Sequence, residues 1–256
     1  LAAQELYNDN SRVSTILASA SPHYKFTDWL DLRVLYSINY STGERRTSIG
    51  QDLINFNDVA GKGLASIGNN QLSTQQIANT LNFNKKIAAD LNLNALVGYE
   101  YTTFSNAGSN VKAYGNPDQG GFGNFGLDYT NYIQYSSNGS RTVTSFKDPF
   151  TALQSVFGRA IFNYKERYLL TGTLRRDQSS KFGPNNRVGY FPSFAAAWDI
   201  SQEEFLKGNK SLNQLKLRAG YGRTGNQEFP AGSAQGRYSL DNNGAQNPLN
   251  APNPDL

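Results

Sequence analysis

The 256 residues predict an all-β chain that forms an open sector of a large antiparallel transmembrane β-barrel. Three observations predict it. Apolar and polar residues alternate at period two in segment after segment. The gaps between segments alternate between short and long. No run reaches about 18 apolar residues, so no helix can cross a bilayer. Strands are then the only spanning element open to this chain, because hydrocarbon forces every backbone polar group to pair internally.

Successive side chains of a strand point to opposite faces, so each segment can be read for its two faces. A weak first segment covers residues 12–26 and ends at a tight turn near Thr27, Asp28 and Trp29. The second puts Leu30, Leu32, Val34, Tyr36, Ile38 and Tyr40 on one face, with Asp31, Arg33, Ser37 and Asn39 on the other. A Gly-, Asn- and Ser-rich gap over 41–74 follows, then a weak segment over 75–87 and a turn at Ala89 and Asp90. The fourth sets Leu91, Leu93, Ala95, Val97, Tyr99 and Tyr101 against Asn92, Asn94, Gly98 and Glu100. A second long gap covers 105–149. The fifth alternates Val156, Ala160, Phe162 and Tyr164 with Arg159 and Asn163. After Lys165, Glu166 and Arg167, the sixth alternates Tyr168, Leu170 and Leu174 with Thr171, Thr173, Arg175 and Asp177. The seventh covers 191–200. The eighth sets Leu215, Leu217, Ala219 and Tyr221 against Lys216, Arg218, Gly220 and Gly222. These make about eight strands of roughly ten residues, a membrane-spanning β length.

Short turns at one end and long loops at the other are the asymmetry of transmembrane barrels. Two gaps fit less well: the one before the seventh segment is short, and the 201–213 turn is long, with a possible helical turn at its "SQEEFL". Tyr24, Phe26, Trp29, Tyr164 and Tyr168 flank the short turns, where an aromatic girdle would meet the bilayer interface. Cross-strand aromatic pairing is the simpler explanation of the same residues.

Composition agrees. Hydrophobic residues are only 38%, yet there are 15 Tyr, 15 Phe and 24 Gly. Disorder is poor in aromatics; a barrel with a wet inner face is not. There is no Cys and one His, which excludes disulfides and argues against zinc. The net charge of +4 is scattered, with adjacent pairs only at Arg45-Arg46, Lys85-Lys86 and Arg175-Arg176, so nucleic-acid binding is not expected. The chain opens on Leu1 and reads as an internal piece of a longer protein, with no targeting segment to interpret.

No catalytic, cofactor or metal site emerges, and no enzyme activity is expected. "GYGRTG" at Gly220–Gly225 has the G-x-G-x-x-G spacing, but a dinucleotide site needs a helix to start there. "NQEFPAG" follows instead, so the glycines read as small residues at a strand end facing the barrel lumen. His23 stands alone and reads as a wall residue. Glu203 and Glu204 are adjacent and would not face one another as an acid/base pair. The sequons at Asn39, Asn138 and Asn209, and the Asp241-Asn242-Asn243 run, which lacks EF-hand spacing, read as ordinary loop or strand residues.

One stretch carries a specific resemblance. In order it holds Phe157-Gly158-Arg159, Tyr168-Leu169-Leu170, an Arg175-Arg176-Asp177…Lys181-Phe182-Gly183 block, and Gly189-Tyr190-Phe191-Pro192-Ser193. Trp198, Glu204-Phe205-Leu206, Leu215-Lys216-Leu217-Arg218 and Gly225-Asn226-Gln227 complete it. From 153 to 227 it resembles the barrel of the SusC/RagA-like TonB-dependent transporters; the first 150 residues match in style only. Gln178 departs from the family's usual Gly. The resemblance implies a bacterial outer-membrane barrel of about 22 strands with an internal plug. Residues 1–256 would be a partial barrel domain, with plug, TonB box and the other strands elsewhere. It also implies import of glycans or peptides driven by TonB under a SusD-like surface lipoprotein, with no cofactor. Which residues touch substrate is not implied. A secreted β-sandwich or adhesin-like binding module, whose apolar faces would pack on each other, is the alternative reading.

Overall fold

The computed structural model describes residues 4–53, 59–119, 121–122, 125–206, 213–240 and 244–256. The Asn209 sequon and the Asp241-Asn242-Asn243 run lie outside these. The strands are β1 (Tyr7–Ala20), β2 (His23–Thr27), β3 (Leu30–Ile49), β4 (Leu64–Ala88), β5 (Leu91–Tyr114), β6 (Thr142–Lys147), β7 (Thr151–Tyr164), β8 (Tyr168–Ser179), β9 (Val188–Asp199), β10 (Lys216–Gly222), β11 (Arg237–Leu240) and β12 (Gln246–Asn250). Ten of them make one sheet with the order β1-β3-β4-β5-β7-β8-β9-β10, with β2 beside β3 and β6 beside β5. A hairpin of β11 and β12 stands apart. Each main strand thus pairs with its sequence neighbour, as the alternating gaps predict.

Three expectations need correction. The weak segment at 12–26 is two strands broken at Ser21-Pro22, because proline has no N–H to give the ladder. Pairing resumes at once, with Val34 N donating to Pro22 O at 3.0 Å. The strands are also longer than expected: β3, β4 and β5 have 20, 25 and 24 residues. Most of the 41–74 gap is therefore strand, and it is polar on both faces, so it has no apolar period to read. Third, β6, β11 and β12 lie in segments read as loop; each is short and pairs at an edge or within its own hairpin.

The chain divides into two compact units. One comprises Ala18–Ile38, Gln75–Thr103 and Pro149–Leu256. Its register fixes two faces. Tyr164, Tyr168, Trp198 and Leu217 form one cross-strand row; Phe162, Leu170, Ala196 and Ala219 the next; Ala160, Gly172, Phe194 and Tyr221 the third. The opposite face carries Phe157, Arg175 and Phe191 in one row, and Arg159, Thr173 and Ser193 in another. Both strand faces follow the alternation read from the sequence. The β7–β8 turn is tight: Lys165 and Glu166 take positive φ of 53° and 57°, and Arg167 N donates to Tyr164 O at 3.1 Å. Paired left-handed residues match the twist of a hairpin.

The other unit comprises Leu1–Leu17, Asn39–Thr74 and Phe104–Asp148. Here a small core does form. Ile49, Leu53, Val59 and Leu64 cluster with Leu6 and Tyr114. Ala65, Phe122 and Tyr129 form a second cluster, flanked by Phe125, Leu127 and Ile133. Burying a ring such as Phe122 contributes about 1.5–3 kcal/mol. The loop backbone packs closely enough that a Cβ built on Gly115 would sit 2.3 Å from Lys62 O and 2.4 Å from Gly121 C. β1 is tied to β3 by a bidentate clasp: Arg45 Nε and Nη2 donate to Asp9 at 2.9 and 2.6 Å, and Thr47 Oγ1 donates at 3.0 Å. Hydrogen bonding to Arg45 holds the Asp9 carboxyl down at about 2.

Two predictions follow from this packing. Gly115→Ala must displace backbone and should lower stability by about 1–3 kcal/mol. Gly68→Ala has open space around its Cβ and should be neutral; thermal unfolding of the two variants makes the comparison. For the clasp, a depressed folded pKa contributes stability above the unfolded carboxyl value and loses it as pH falls through the folded one. The stability gap between wild type and Asp9→Asn should therefore be flat above about pH 5 and close as pH falls from about 4 toward about 2. A gap that closes near neutral pH would show that Asp9 is not the group responsible.

Candidate functional site

The polar face of β3, β4, β5, β7 and β8 carries a hydrogen-bonded chain of side chains. Ser37 donates to Gln76 Oε1 at 3.3 Å, and Gln76 Nε2 donates to Glu100 Oε1 at 2.9 Å. The Arg175 guanidinium lies 3.8 Å from Glu100 Oε2. It also donates to Asp177 Oδ1 at 2.7 Å and to Ser155 Oγ at 2.8 Å. Ser155 is fully buried, while Arg175, Glu100 and Asp177 are half-buried. The chain crosses five strands, so it ties side chains together where no packed core exists. Arg175 and Asp177 share a face, as the alternation implies. Arg159, which the alternation puts on the same face, is exposed, and its side chain makes no hydrogen bond among the described residues. Glu100 is the partner instead; period two put it on the right face but gave no cross-strand register.

Aromatic rings lie over glycines on this face. A Cβ on Gly98 would meet Phe157 Cζ at 2.3 Å, and Cβ atoms on Gly189 and Gly225 would meet the Phe191 ring at 2.7 and 2.6 Å. The Arg175 guanidinium carbon stands 5.5 Å from the centre of the Phe157 ring. A ring laid across a strand glycine covers backbone that the glycine leaves bare. Gly225, within the "GYGRTG" spacing, thus makes room for an aromatic. Irregular chain follows it, not a helix.

The "RRDQSSKFG" block is an ordered loop. Ser180 Oγ accepts from Ala152 N at 2.8 Å and donates to Phe150 O at 3.2 Å. Ser179 Oγ accepts from Lys181 N at 3.3 Å. Phe182 packs edge-on against Phe229 at 5.0 Å. The 253–256 segment covers the loop: Asn185 Nδ2 donates to Asp255 Oδ1 at 2.7 Å, and Gly183 N donates to Leu256 O at 3.3 Å. A Cβ on Gly183 would fall 2.2 Å from Pro254 O. The serines and Phe182 therefore hold the loop down.

At the short-turn end, Tyr164, Tyr168 and Trp198 stack in series at 6.2 and 6.3 Å. Trp29 packs on Phe83 at 5.3 Å under Lys85. Glu203 gathers three donors: Tyr168 Oη at 2.6 Å, Trp198 Nε1 at 2.9 Å and Arg167 Nη1 at 3.0 Å. The Tyr168 and Trp198 hydrogen bonds hold its carboxyl below the ordinary glutamate range. Glu204 is 84% exposed and lies 3.6 Å from the same Arg167, so Glu203 is the carboxylate held in place. Glu203 was not foreseen as an anchor, since its partners come from two other strands. The "SQEEFL" segment contains a single 3-10 turn, Ile200–Gln202. His23 bonds Asp31 at 2.8 Å across the β2–β3 hairpin, as a wall residue would. Among the described residues no cluster of His, Cys, Asp or Glu fits a metal ion.

The family described as "TonB dependent receptor-like, beta-barrel" matches residues 7–256. The chain is 29% identical to TonB-dependent receptor P3 of Formosa agariphila, over 90% of this chain and 22% of that protein. It is 31% identical to TonB-dependent receptor SusC of Bacteroides thetaiotaomicron, over 90% of this chain and 21% of that protein. The chain thus spans about a fifth of these curated relatives. Among solved structures, the RagAB peptide transporter superposes with a TM-score of 0.84 at 20% identity, covering 99% of this chain and 27% of that one.

The polar chain generates a prediction for Arg175→Ala. Removing the guanidinium leaves buried Ser155 and half-buried Asp177 without their donor and takes the counter-charge from Glu100, at a cost of about 1–3 kcal/mol. Assembly or thermal stability should fall, while correctly assembled protein keeps its substrate affinity. Normal assembly with an affinity loss of about tenfold, equivalent to about 1.4 kcal/mol, would instead make Arg175 a substrate contact.

Proposed function

This chain belongs to the TonB-dependent receptor β-barrel family, as a SusC/RagA-like member, and from that premise we propose that it is part of the wall of an importer for glycans or peptides. The family is one of outer-membrane receptors and importers, not enzymes. In this reading the work of the sector is to seal a wide aqueous lumen from the bilayer. A surface lipoprotein of the SusD kind would close the barrel from outside. TonB would drive it through a plug and TonB box that belong to other parts of the same protein, with residues 1–256 all within the barrel domain. The RagAB neighbour is a peptide transporter.

The observation that carries the reading is the apolar face of β7–β10. Phe162, Leu170, Leu174, Phe194, Leu217 and Tyr221 are all large, apolar and 41–72% exposed, and they adjoin one another across four strands. An apolar patch this continuous is costly in water and suits hydrocarbon. The tyrosines and Trp198 at the short-turn edge suit an interfacial girdle. A β-sandwich would cover such a face with a second sheet. Among the described residues the other sheet is the β11–β12 hairpin, which follows β10 in the chain.

Tryptophan placed at Leu170 should be quenched strongly by brominated lipids, and tryptophan at Thr171, on the opposite face, weakly. Leu174→Arg, on the same face but six residues past the girdle residue Tyr168, should cost about 2–4 kcal/mol of folding free energy, while Thr173→Arg, on the opposite face, should be tolerated. Equal quenching at both positions would show that this face does not meet lipid, and the wall reading would fall.

A further inference from the structure

We propose that Tyr132 and Tyr135, in the segment between β5 and β6, form a stacking platform for a hexopyranose ring. The proposal rests on the importer reading above and gives it a ligand class and a contact site.

The platform is built by spacing. Phe122 and Phe125 are three residues apart, as are Tyr129, Tyr132 and Tyr135. Two 3-10 turns, Tyr129–Asn131 and Ile133–Tyr135, carry the tyrosines. A 3-10 turn has three residues, so positions i and i+3 eclipse and their rings line up. Phe122 stacks on Tyr129 at 4.7 Å; Phe125 stacks on Tyr132 at 4.3 Å and on Tyr135 at 5.7 Å, with interplanar angles of 16° and 13°. Exposure rises along this series, from 1% at Phe122 and 4% at Tyr129 to 36% at Tyr132 and 63% at Tyr135. Core packing explains the first pair and leaves the last ring unexplained. Among the described residues neither the Tyr132 nor the Tyr135 hydroxyl makes a hydrogen bond.

The backbone beneath is held in place. Ser140 Oγ donates to Ser137 O at 2.7 Å and lies 2.9 Å from Tyr114 O, and Ser137 N donates to Tyr114 O at 2.9 Å. Arg141 donates to Ser136 Oγ at 2.9 Å and to Gln134 O at 3.3 Å, and Arg46 donates to Asn131 Oδ1 at 3.0 Å. A ring fixed before binding loses little conformational freedom on binding.

The surrounding chemistry selects the occupant. Residues 129–140 contain no charged side chain. Asp128 and Arg141 flank this stretch, and Arg141 donates to Ser136 Oγ and the Gln134 carbonyl. What the segment offers is an exposed π face, the exposed Gln134 amide and the Asn131 Nδ2 donor. A pyranose presents a complementary surface. Its axial C–H bonds meet the negative face of the ring quadrupole, and its equatorial hydroxyls can exchange hydrogen bonds with neutral amides at the edge.

The test uses the full-length importer purified in detergent, titrated with neutral oligosaccharides of glucose, mannose and galactose and, in parallel, with a mixed oligopeptide pool. Tyr135→Ala should weaken binding of the accepted oligosaccharide at least about tenfold. Tyr135→Phe, which keeps the ring, should stay near wild type. The proposal is overturned if no oligosaccharide binds, if Tyr135→Ala leaves sugar affinity unchanged, or if Tyr135→Phe falls as far as Tyr135→Ala. It is also overturned if only peptide affinity responds. None of these results touches the importer reading, which the lipid-quenching contrast between positions 170 and 171 decides separately.

Discussion

Backbone pairing is the constraint on which this molecule depends. In hydrocarbon an unpaired N–H or C=O costs several kcal/mol, so each strand must be flanked by neighbours along its whole membrane length. The nearest-neighbour order of the sheet satisfies this with the shortest connections available. The Lys165-Glu166 turn accepts two left-handed residues to keep β7 and β8 adjacent. The break at Pro22 occurs where one ladder bond can be lost and pairing resumed within a residue or two.

Once the ladder is satisfied, the strand sector needs no buried core, and it has almost none. Its cohesion across the sheet comes from the polar face, in two forms. One is the run from Ser37 through Gln76 to Glu100, strand to neighbouring strand, which Arg175 of β8 joins by reaching across β7, where it also bonds Ser155. The other is the set of rings laid across glycines, with Phe157 over Gly98 and Phe191 over Gly189 and Gly225. Both devices leave the opposite face free to be purely apolar. That separation is what a wall between lipid and water requires, and the same physics explains why Glu203 collects Tyr168, Trp198 and Arg167 at the rim. At a bilayer interface an indole or phenol ring can bury its body and still satisfy its polar tip.

The unit holding 39–74 and 104–148 is organised differently. Its 41–49 and 64–74 strand stretches show no regular apolar face, and it holds an aromatic loop with its own small core. Close backbone approaches at Gly63, Gly115 and Gly121 leave no space for side chains there. This is rigid, surface-accessible structure, the kind of setting in which recognition groups can be held ready.

The sequence by itself determined the strand faces, the short turns, the absence of any helix-spanning segment and, through the ordered motifs from 153 to 227, the family. These are local properties: period two follows from strand geometry, and a turn signal lies within a few residues. It did not show where the polar strands ran past the apolar stretch, because a strand whose two faces are both wet has no hydrophobic period. It pointed to the right face for Arg175 and Asp177 but not to their partners, since cross-strand register depends on hydrogen-bond pairing between segments far apart in sequence. For the same reason only the tertiary structure decided that Glu100 meets Arg175, that Glu203 and not Glu204 is the anchor, and that Phe125 draws Tyr132 and Tyr135 into one stack. Each of these joins groups from separate turns or strands, and their distances are set by the assembled sheet and loop.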